Sequence, residues 1–322
     1  MTTRLQSLVL RRTVLTGLAS LWVTLAVAAC GGSTGEPTAG SDAPSAAPPS
    51  AVEPLQVGAI PDQDPEKLQR TYSQLADYLS AELGVPVEYR PVTDYAAAVT
   101  AFRVGDLDLV WFGGLTGVQA RLQVEGAQAI SQRDIDAEFH SVFIANTASG
   151  IEPFTEASGL LALKGKSFTF GSESSTSGRL MPQYFLQEGG VALGDFRGEP
   201  GFSGNHDATI KLVEAGTYEV GALNEQVWMS RLAEGAIDTT KVQVVWRTPA
   251  YFDYHWVIRP DVEARYGEGF VDRVQAALLK LDPAVPEQQA ILELFGAGSF
   301  IETTNANYAD IEAIAREIGK IQ

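Results

Sequence analysis

The sequence predicts an α/β protein whose body folds as two lobes with a cleft between them. Strand and helix patterns alternate through residues 55–122, which is typical of a sheet with helices packed on its faces. A second run of alternation follows the apolar segment 139–145, and another apolar segment, 254–258, leads back to helical patterns at the C-terminus. We interpret these two segments as strands that cross between the lobes of a hinged clamp. Small ligands commonly bind in such a cleft.

The first 29 residues have the features of a secretion signal. Three arginines precede an apolar stretch, 14–29, which ends in small residues and is too short for a comfortable membrane span. The stretch leads into Val27-Ala28-Ala29-Cys30, which resembles the lipobox of bacterial lipoproteins. That resemblance implies that Cys30, the single cysteine of the chain, is lipidated as the first residue of the mature protein. Twin-arginine export stays open beside the general secretory route.

Residues 30–53 are predicted to be the lipidated cysteine and a flexible tether. Gly, Ser, Thr, Pro and Ala dominate this segment, so it has almost no large apolar side chain to bury. We therefore expect the body of the protein to be anchored to the outer face of the cytoplasmic membrane, in the periplasm or cell envelope.

The chain is strongly acidic. Its formal net charge is −17 at pH 7, and removal of a signal with three arginines and no acidic residue would bring the charge to −20. Such a charge argues against nucleic acid and against an anionic lipid surface as binding partners.

The first lobe is predicted to begin with a strand at 55–60 and a long helix at 65–83. Asp64 is placed to cap that helix, Pro65 suits its first turn, and Gly84 follows its end. This order continues and favours a mostly parallel sheet with helices on both faces. The further elements are predicted at 85–89, 94–104, 107–112 and 116–122.

The second lobe is predicted from a strand at 167–171, a helix that starts near Leu180 and a strand at 242–246. A weak internal repeat, 102–110 against 213–221, supports two similar lobes, although many helix-to-strand connections share its pattern. C-terminal helices are predicted at 262–280, 286–294 and 307–318. The resulting assignment is 54–142 and 252–322 for the first lobe and 143–251 for the second.

The most informative stretch is 172–182, Ser-Glu-Ser-Ser-Thr-Ser-Gly-Arg-Leu-Met-Pro. It lies between a predicted strand and a predicted helix, so hydroxyls and free backbone N–H groups converge at the positive end of a helix dipole. Such a point suits a small anion. The alternative is that Ser175, Thr176 or Ser177 simply caps the helix.

Four motifs recur at strand ends and helix starts: Val92-Thr93-Asp94-Tyr95, Asp108-Leu109-Val110-Trp111-Phe112-Gly113-Gly114, Ser174-Ser175-Thr176-Ser177-Gly178 and Ser203-Gly204-Asn205-His206-Asp207. Together they resemble the solute-binding lipoproteins of the phosphate, phosphite and phosphonate group of ABC importers. The resemblance runs from about Leu55 to Leu281 and implies a type II periplasmic-binding-protein fold. Ser-Ser-Thr-Ser-Gly, Leu-Asn-Glu and Tyr-Phe-Asp-Tyr are closer still to members described as selenate-binding proteins.

The resemblance also implies a binding site. A hydroxyl triplet for a tetrahedral oxyanion falls on Ser175 to Ser177, and a histidine that contacts a ligand oxygen falls on His206. The family's carboxylate position falls near Glu225, and an alignment shifted by one residue would put Asn224 at that position. Phe112 stands where some relatives carry a tyrosine. The predicted ligand-binding residues are Tyr95, Phe112, Ser175, Thr176, Ser177, His206, Asp207, Glu225 and Asp253.

The carboxylates bear on the identity of the ligand. An acid beside a fully ionised anion such as selenate is repulsive, whereas a ligand with a P–OH group can donate a hydrogen bond to that acid. If Asp207, Glu225 or Asp253 faces the cleft, phosphate, phosphite or a phosphonate is favoured. If these acids cap helices or face solvent, selenate stays open.

We therefore expect a monomeric binding protein that delivers a small oxyanion to an ABC permease and ATPase. No metal or other cofactor is expected, because the three histidines and one cysteine lack ligand spacing. An enzyme such as a hydrolase is disfavoured, because Ser177-Gly178 lacks the setting of a nucleophile elbow. A sensory lipoprotein without a transport partner is the remaining alternative.

Overall fold

The computed structural model describes residues 52–322, which belong to one compact unit. The predicted signal, Cys30 and nearly all of the tether lie outside the described residues.

Two sheets organise this unit, and each is the centre of one lobe. The first sheet contains β1 (Leu55–Ala59), β2 (Val87–Tyr89), β3 (Leu109–Phe112), β4 (Gln128–Arg133), β10 (His255–Ile258) and β11 (Phe300–Glu302). The second contains β5 (Ser141–Asn146), β6 (Phe168–Phe170), β7 (Gly201–Phe202), β8 (Val220–Asn224) and β9 (Val242–Arg247). The strand orders are β11-β4-β10-β3-β1-β2 and β7-β6-β8-β5-β9.

Both sheets are mixed, so the prediction of mostly parallel sheets was wrong. β1 is parallel to β2 and β3, but β10 is antiparallel to β3 and β4. In the second sheet, β5 is antiparallel to β8 and β9. The connections between the lobes are the reason. The strand that follows each connection, β5 in the second sheet and β10 in the first, lies between two neighbours and runs antiparallel to both.

Helices cover the faces of the sheets. The first lobe carries α1 (Pro65–Leu83), α2 (Tyr95–Val104), α3 (Gly114–Gln123), α7 (Val262–Tyr266), α8 (Phe270–Leu279), α9 (Pro286–Phe295) and α10 (Ala309–Glu317). The second carries α4 (Met181–Glu188), α5 (His206–Glu214) and α6 (Glu225–Ala233). Short helical turns lie at Asp134–Glu138, Thr147–Ser149, Ala157–Leu163, Thr176–Leu180, Leu193–Asp195 and Asn305–Tyr308.

Helix α1 begins and ends where the sequence predicts. The Asp64 carboxylate accepts hydrogen bonds from the backbone N–H groups of Glu66 and Lys67, and Gly84 ends the helix with φ +70°. The apolar residues Leu68, Leu75 and Leu79 face the sheet, because they recur at helical spacing.

The predicted helix 262–280 is in fact two helices, α7 and α8. Gly267 and Gly269 separate them with φ values of +97° and +78°, a left-handed region that side chains rarely adopt. The Glu263 carboxylate then accepts the backbone N–H groups of Phe270 and Val271, which caps the second helix. The apolar spacing continues through the break, which is why the pattern alone predicted one helix.

The two segments that connect the lobes, 134–140 and 248–254, are bonded to each other. Phe139 and Tyr251 exchange both backbone N–H···O bonds at 2.9 Å. Sheet membership changes between Arg133 and Ser141 on the outward crossing and between Arg247 and His255 on the return. The predicted lobe boundaries, between residues 142 and 143 and between residues 251 and 252, remain a proposal.

An aromatic cluster of the first lobe supports the return crossing. The Tyr254 ring stacks on Trp111 with 5.7 Å between ring centroids, and Trp111 also packs on Trp256 and Phe295. These rings are buried, so the backbone beside Tyr254 is held in place where the two lobes meet.

Candidate functional site

The hydroxyl-rich loop forms a short turn that leads into α4. The turn Thr176–Leu180 has π-helical hydrogen bonding, an arrangement that is rare and is found frequently at functional sites. Ser175 caps it, because its Oγ accepts the backbone N–H of Gly178 at 2.9 Å. For Ser175, therefore, the structure supports the capping role.

The start of α3 in the first lobe meets this turn. The backbone N–H of Gly114 donates to Asp253 Oδ1 at 2.9 Å, and that of Leu115 donates to Thr176 Oγ1 at 3.0 Å. A side chain at Gly113 would place its Cβ 3.0 Å from Thr176 Oγ1 and 3.2 Å from Asp253 Oδ1. The Gly113-Gly114 pair thus lets a helix start of one lobe approach a hydroxyl of the other.

Three polar atoms at this junction are buried without a hydrogen-bond partner among the described residues. They are Tyr95 Oη, Ser177 Oγ and Asp253 Oδ2, on side chains that are at most 1% exposed. Burial of such an atom costs free energy unless a partner is supplied, so each one requires an explanation. Two hydroxyls that can donate and one carboxyl oxygen that can accept suit a small polar ligand.

Burial makes Asp253 a much weaker acid than an exposed aspartate. Burial raises the pKa of Asp253 to about 7, while the Gly114 N–H and the Thr176 hydroxyl act in the opposite direction. Burial also raises the pKa of Tyr95 well above its usual range; the carboxyls of Asp62 and Asp253 add to that effect, and the nearby Ser175 hydroxyl acts against it. Tyr95 is therefore a donor at physiological pH, and Asp253 can either accept or donate.

A second polar network lies beside the first and is built around Tyr254. Its hydroxyl donates to Asp62 Oδ2 at 2.8 Å and accepts from Asn224 Nδ2 at 3.1 Å. His206 Nε2 lies 3.3 Å from the same hydroxyl. Asp62 comes from the first lobe, whereas Asn224 and His206 come from the second, so Tyr254 on the crossing segment joins both.

The histidine of this network is neutral. Burial lowers the pKa of His206 to about 4. Its Nδ1 accepts the backbone N–H of Asn224 at 3.4 Å, which places the ring proton on Nε2, facing Tyr254. The ring also lies next to the hydroxyl-rich turn, because a Cβ built on Gly178 would be 3.2 Å from His206 Cε1. Burial raises the pKa of Asp62, to about 6.

The buried guanidinium nearest this network is already occupied. Arg133 forms two hydrogen bonds to the Asp136 carboxylate and one to the Phe295 carbonyl, all at 2.7 Å. Its guanidinium carbon lies 5.0 Å from the centre of the Tyr254 ring. Arg133 thus supports the ring of Tyr254 rather than offering its charge to an anion.

Three predicted site residues are not brought into either network. The Asp207 carboxylate forms an ion pair with Arg231, and the Glu225 carboxylate forms one with Arg247. Phe112 packs edge-on against Phe102 in the core of the first lobe. Each arginine lies outside the predicted motifs, so the sequence offered no reason to expect these pairings.

The predicted ligand-binding residues include neither Asp62 nor Tyr254. A positional signal for Asp62 existed, because β1 and β3 are parallel and their carboxyl ends lie at one edge of the sheet. Asp62 follows β1 and Gly113 follows β3 at that edge, where ligands of α/β proteins commonly bind. In the second lobe, Asn224 rather than Glu225 is the buried neighbour of Tyr254.

Comparison with known proteins assigns the chain to a family. Residues 57–308 match the family described as ABC transporter, phosphonate, periplasmic substrate-binding protein. The chain belongs to this family. Its members are binding proteins that act outside the cytoplasm, so the predicted family, the extracytoplasmic location and the absence of enzyme activity are confirmed. The selenate-binding branch stays a prediction.

Several members of the family are similar over most of the chain. The probable ABC transporter phosphite binding protein PhnD1 of Prochlorococcus marinus (strain MIT 9301) is 49% identical over 269 residues, covering 83% of this chain and 91% of that protein. The Phosphonates-binding periplasmic protein of Escherichia coli (strain K12) is 25% identical over 268 residues, covering 81% of this chain and 75% of that protein.

Solved structures of the family confirm the two-lobe periplasmic-binding-protein fold. The structure of PhnD1 from Prochlorococcus marinus in complex with methylphosphonate has a TM-score of 0.82 and 49% identity, covering 83% of this chain and 98% of that chain. A binding protein component of an ABC phosphonate transporter from Pseudomonas aeruginosa has a TM-score of 0.69 and 20% identity, covering 81% of this chain and 84% of that chain. Within residues 52–322, none of the helices is both long and apolar enough to cross a bilayer.

Proposed function

We propose that this family member captures a small tetrahedral phosphorus oxyanion, a phosphonate or phosphite, between its lobes and delivers it to an ABC permease. Ser177 and Tyr95 would donate to the oxyanion oxygens, together with backbone N–H groups at the start of the turn Thr176–Leu180, and Thr176 would position that turn against the first lobe through Leu115. The names of the relatives, a probable phosphite binding protein and a structure in complex with methylphosphonate, support this ligand class.

The single observation that carries the proposal is the buried free oxygen of Asp253. Asp253 Oδ2 has no partner among the described residues, and it lies in the same junction as the free hydroxyls of Tyr95 and Ser177. A ligand with one P–OH group can share its proton with this carboxyl, whereas sulfate and selenate carry no proton at neutral pH to donate. Phosphorus oxyanions titrate near neutral pH, as phosphate monoesters do.

Calorimetric titration tests the proposal. The protein would be titrated with phosphite, methylphosphonate, 2-aminoethylphosphonate, phosphate, selenate and sulfate. We expect binding confined to phosphorus oxyanions, with the smallest ligands bound most tightly because the groups that would bind them are buried. Tight selenate binding with no response to phosphorus ligands would contradict this and would favour the selenate-binding alternative. If nothing in the series binds, the whole proposal of oxyanion capture is wrong.

We also propose that Cys30 anchors the protein by a lipid and that the protein acts as a monomer. The lipobox-like sequence and the tether composition support the anchor. Mass spectrometry of the membrane-extracted protein would show a lipidated N-terminal cysteine, and Cys30→Ser would release the protein from the membrane fraction. Phosphite uptake by cells with and without the gene would separate transport from a purely sensory role.

A further inference from the structure

A first-lobe loop and a second-lobe helix start are bonded in both directions. The backbone N–H of His206 donates to the Asp62 carbonyl at 3.0 Å. Two residues after Asp62 and one residue after His206, the backbone N–H of Asp64 donates to Asp207 Oδ2 at 2.9 Å. Each bond joins a donor in one lobe to an acceptor in the other. Neither bond can therefore persist when the lobes separate.

The Asp207 carboxylate, which accepts the second of these bonds, is held in place by Arg231. Arg231 Nε lies 2.6 Å from Asp207 Oδ1, and Arg231 Nη2 lies 3.0 Å from Oδ2. Glu234 binds the remaining side of the guanidinium, with both carboxylate oxygens 3.1 Å from Nη1. The side chains of Asp207 and Arg231 are only 13% and 11% exposed, so the pair is well shielded from solvent.

The partner of this ion pair in the first lobe is the start of α1. Asp64 uses its own carboxylate to cap the 19-residue helix, which leaves its backbone N–H for Asp207. A carboxylate from the other lobe therefore lies at the positive end of a long helix dipole. One turn further along, Lys67 Nζ lies 3.4 Å from Ser230 Oγ and adds a weaker contact between the lobes.

We propose that Asp207 and Arg231 form a closure latch, which stabilises the closed lobes and thereby sets the lifetime of the bound ligand without contacting it. The inference rests on the proposed function, because it assumes that ligand is held by lobe closure. A contact that exists only in the closed state increases the fraction of closed protein. If ligand is held only by the closed state, ligand affinity rises by the same factor. Such a contact slows release and leaves the preference among ligands unchanged, since no ligand touches it.

Asp207→Asn in the full chain tests the latch. The change removes the charge of the acceptor and leaves Arg231 without its main ion pair. We expect the dissociation rates of methylphosphonate and phosphite, measured by stopped-flow tryptophan fluorescence, to rise by the same factor, about 10-fold, because loss of a shielded charge pair acts mainly on release. The association rates should be unchanged.

Glu219→Gln is the matched control. Glu219 also pairs with an arginine, Arg197 at 2.8 Å, and also accepts a backbone N–H, that of Ser167 at 2.9 Å. All three residues belong to the second lobe, so this variant should leave both dissociation rates unchanged. An equal rise in the control would overturn the latch, since it would indicate a general loss of stability. Unchanged dissociation in Asp207→Asn, or a changed ratio of affinities for the two ligands, would also overturn it.

Two further measurements keep the test decisive. If Asp207→Asn does not fold, Lys67→Met should raise both dissociation rates by about 2-fold, as expected for the loss of one long, partly buried hydrogen bond, and no rise would overturn the latch. Hydrogen exchange at the Asp64 amide needs no ligand: it should be faster in Asp207→Asn than in the wild type, and equal exchange would contradict the proposal. If the wild type binds neither ligand, the proposed function fails and the latch fails with it, whereas equal exchange in a protein that binds both ligands overturns the latch alone.

Discussion

The Tyr254 hydroxyl donates a hydrogen bond to Asp62 Oδ2 at 2.8 Å, although 192 residues separate the two side chains. Tyr254 lies on the crossing segment and Asp62 at the edge of the first sheet. The bond fixes the position of the crossing segment against the first lobe. Asp253, the preceding residue, is then held with one oxygen on Gly114, and its other oxygen has no partner within residues 52–322.

Tyr254→Phe should destabilise the protein and weaken ligand binding. The change leaves the buried Asp62 carboxyl and the Asn224 amide without their partner, which should lower the free energy of unfolding by about 1–3 kcal/mol. Urea denaturation measures this loss. Tyr78→Phe removes a hydrogen bond to the Ala277 carbonyl, also 2.8 Å long, in a less buried part of the first lobe. A loss in Tyr254→Phe no larger than in this control would contradict the role of the network.

Thr176→Ala together with Ser177→Ala should abolish oxyanion binding in a protein that still folds. Ser177 Oγ has no partner within the described part of the chain, so its removal costs little stability. Thr176 Oγ1 accepts the Leu115 N–H, so its loss should cost about 1–3 kcal/mol. Calorimetry measures binding and circular dichroism measures folding. Wild-type affinity in the folded double variant would show that the ligand lies elsewhere.

Asp253→Asn should remove a pH dependence of stability. Burial raises the pKa of Asp253 from 3.8 to about 7, so between these values the folded state keeps a proton that the unfolded state has lost. The free energy of unfolding of the wild type therefore falls as pH rises through that window. The Asn variant cannot ionise, so its stability relative to wild type should increase from pH 4 to pH 7.

Asp238→Asn provides the contrast for that measurement. Hydrogen bonds from Thr240, and then Lys241, lower the pKa of Asp238 to about 2, so most of its contribution is already present at pH 4. The stability of this variant relative to wild type should stay constant between pH 4 and pH 7. A constant difference for Asp253→Asn as well would mean that Asp253 ionises normally.

The pH dependence of affinity should distinguish the two classes of oxyanion. One proton is shared between Asp253 and a phosphorus oxyanion in the complex, so methylphosphonate affinity should be highest near pH 7 and fall on both sides. A fully ionised anion needs the proton of Asp253 itself, so any selenate affinity should only fall as pH rises above 7. Calorimetry at pH 5, 7 and 9 measures both profiles. A flat methylphosphonate profile would indicate that Asp253 does not face the ligand.

The local elements of this protein are readable from the sequence, whereas the directions of its carboxylates are not. Asp64, Pro65 and Gly84 mark the ends of α1 because caps depend on neighbouring residues. The strand, hydroxyl-rich turn and helix around Thr176 are local in the same sense. Asp207 and Glu225 were expected near the ligand, but the partners that orient them, Arg231 and Arg247, are set by tertiary packing.

Asp62 is a buried member of the polar network that the sequence did not predict. Its neighbours Pro61 and Gln63 give it the appearance of an ordinary polar loop residue. It is buried because Tyr254 and His206 arrive from distant parts of the chain. No periodicity or capping pattern encodes such an encounter, so only the fold reveals the network.

The bonded pair Phe139 and Tyr251 has a practical consequence. Because the two connections are bonded to each other, we expect the lobes to rotate mainly about one axis, so a single distance between them should report whether ligand is bound. Leu122 and Leu161 are half exposed and lie in different lobes. With the single native cysteine replaced by serine, Leu122→Cys and Leu161→Cys would accept a pair of fluorophores, and the protein would become an optical sensor for its ligand in water samples.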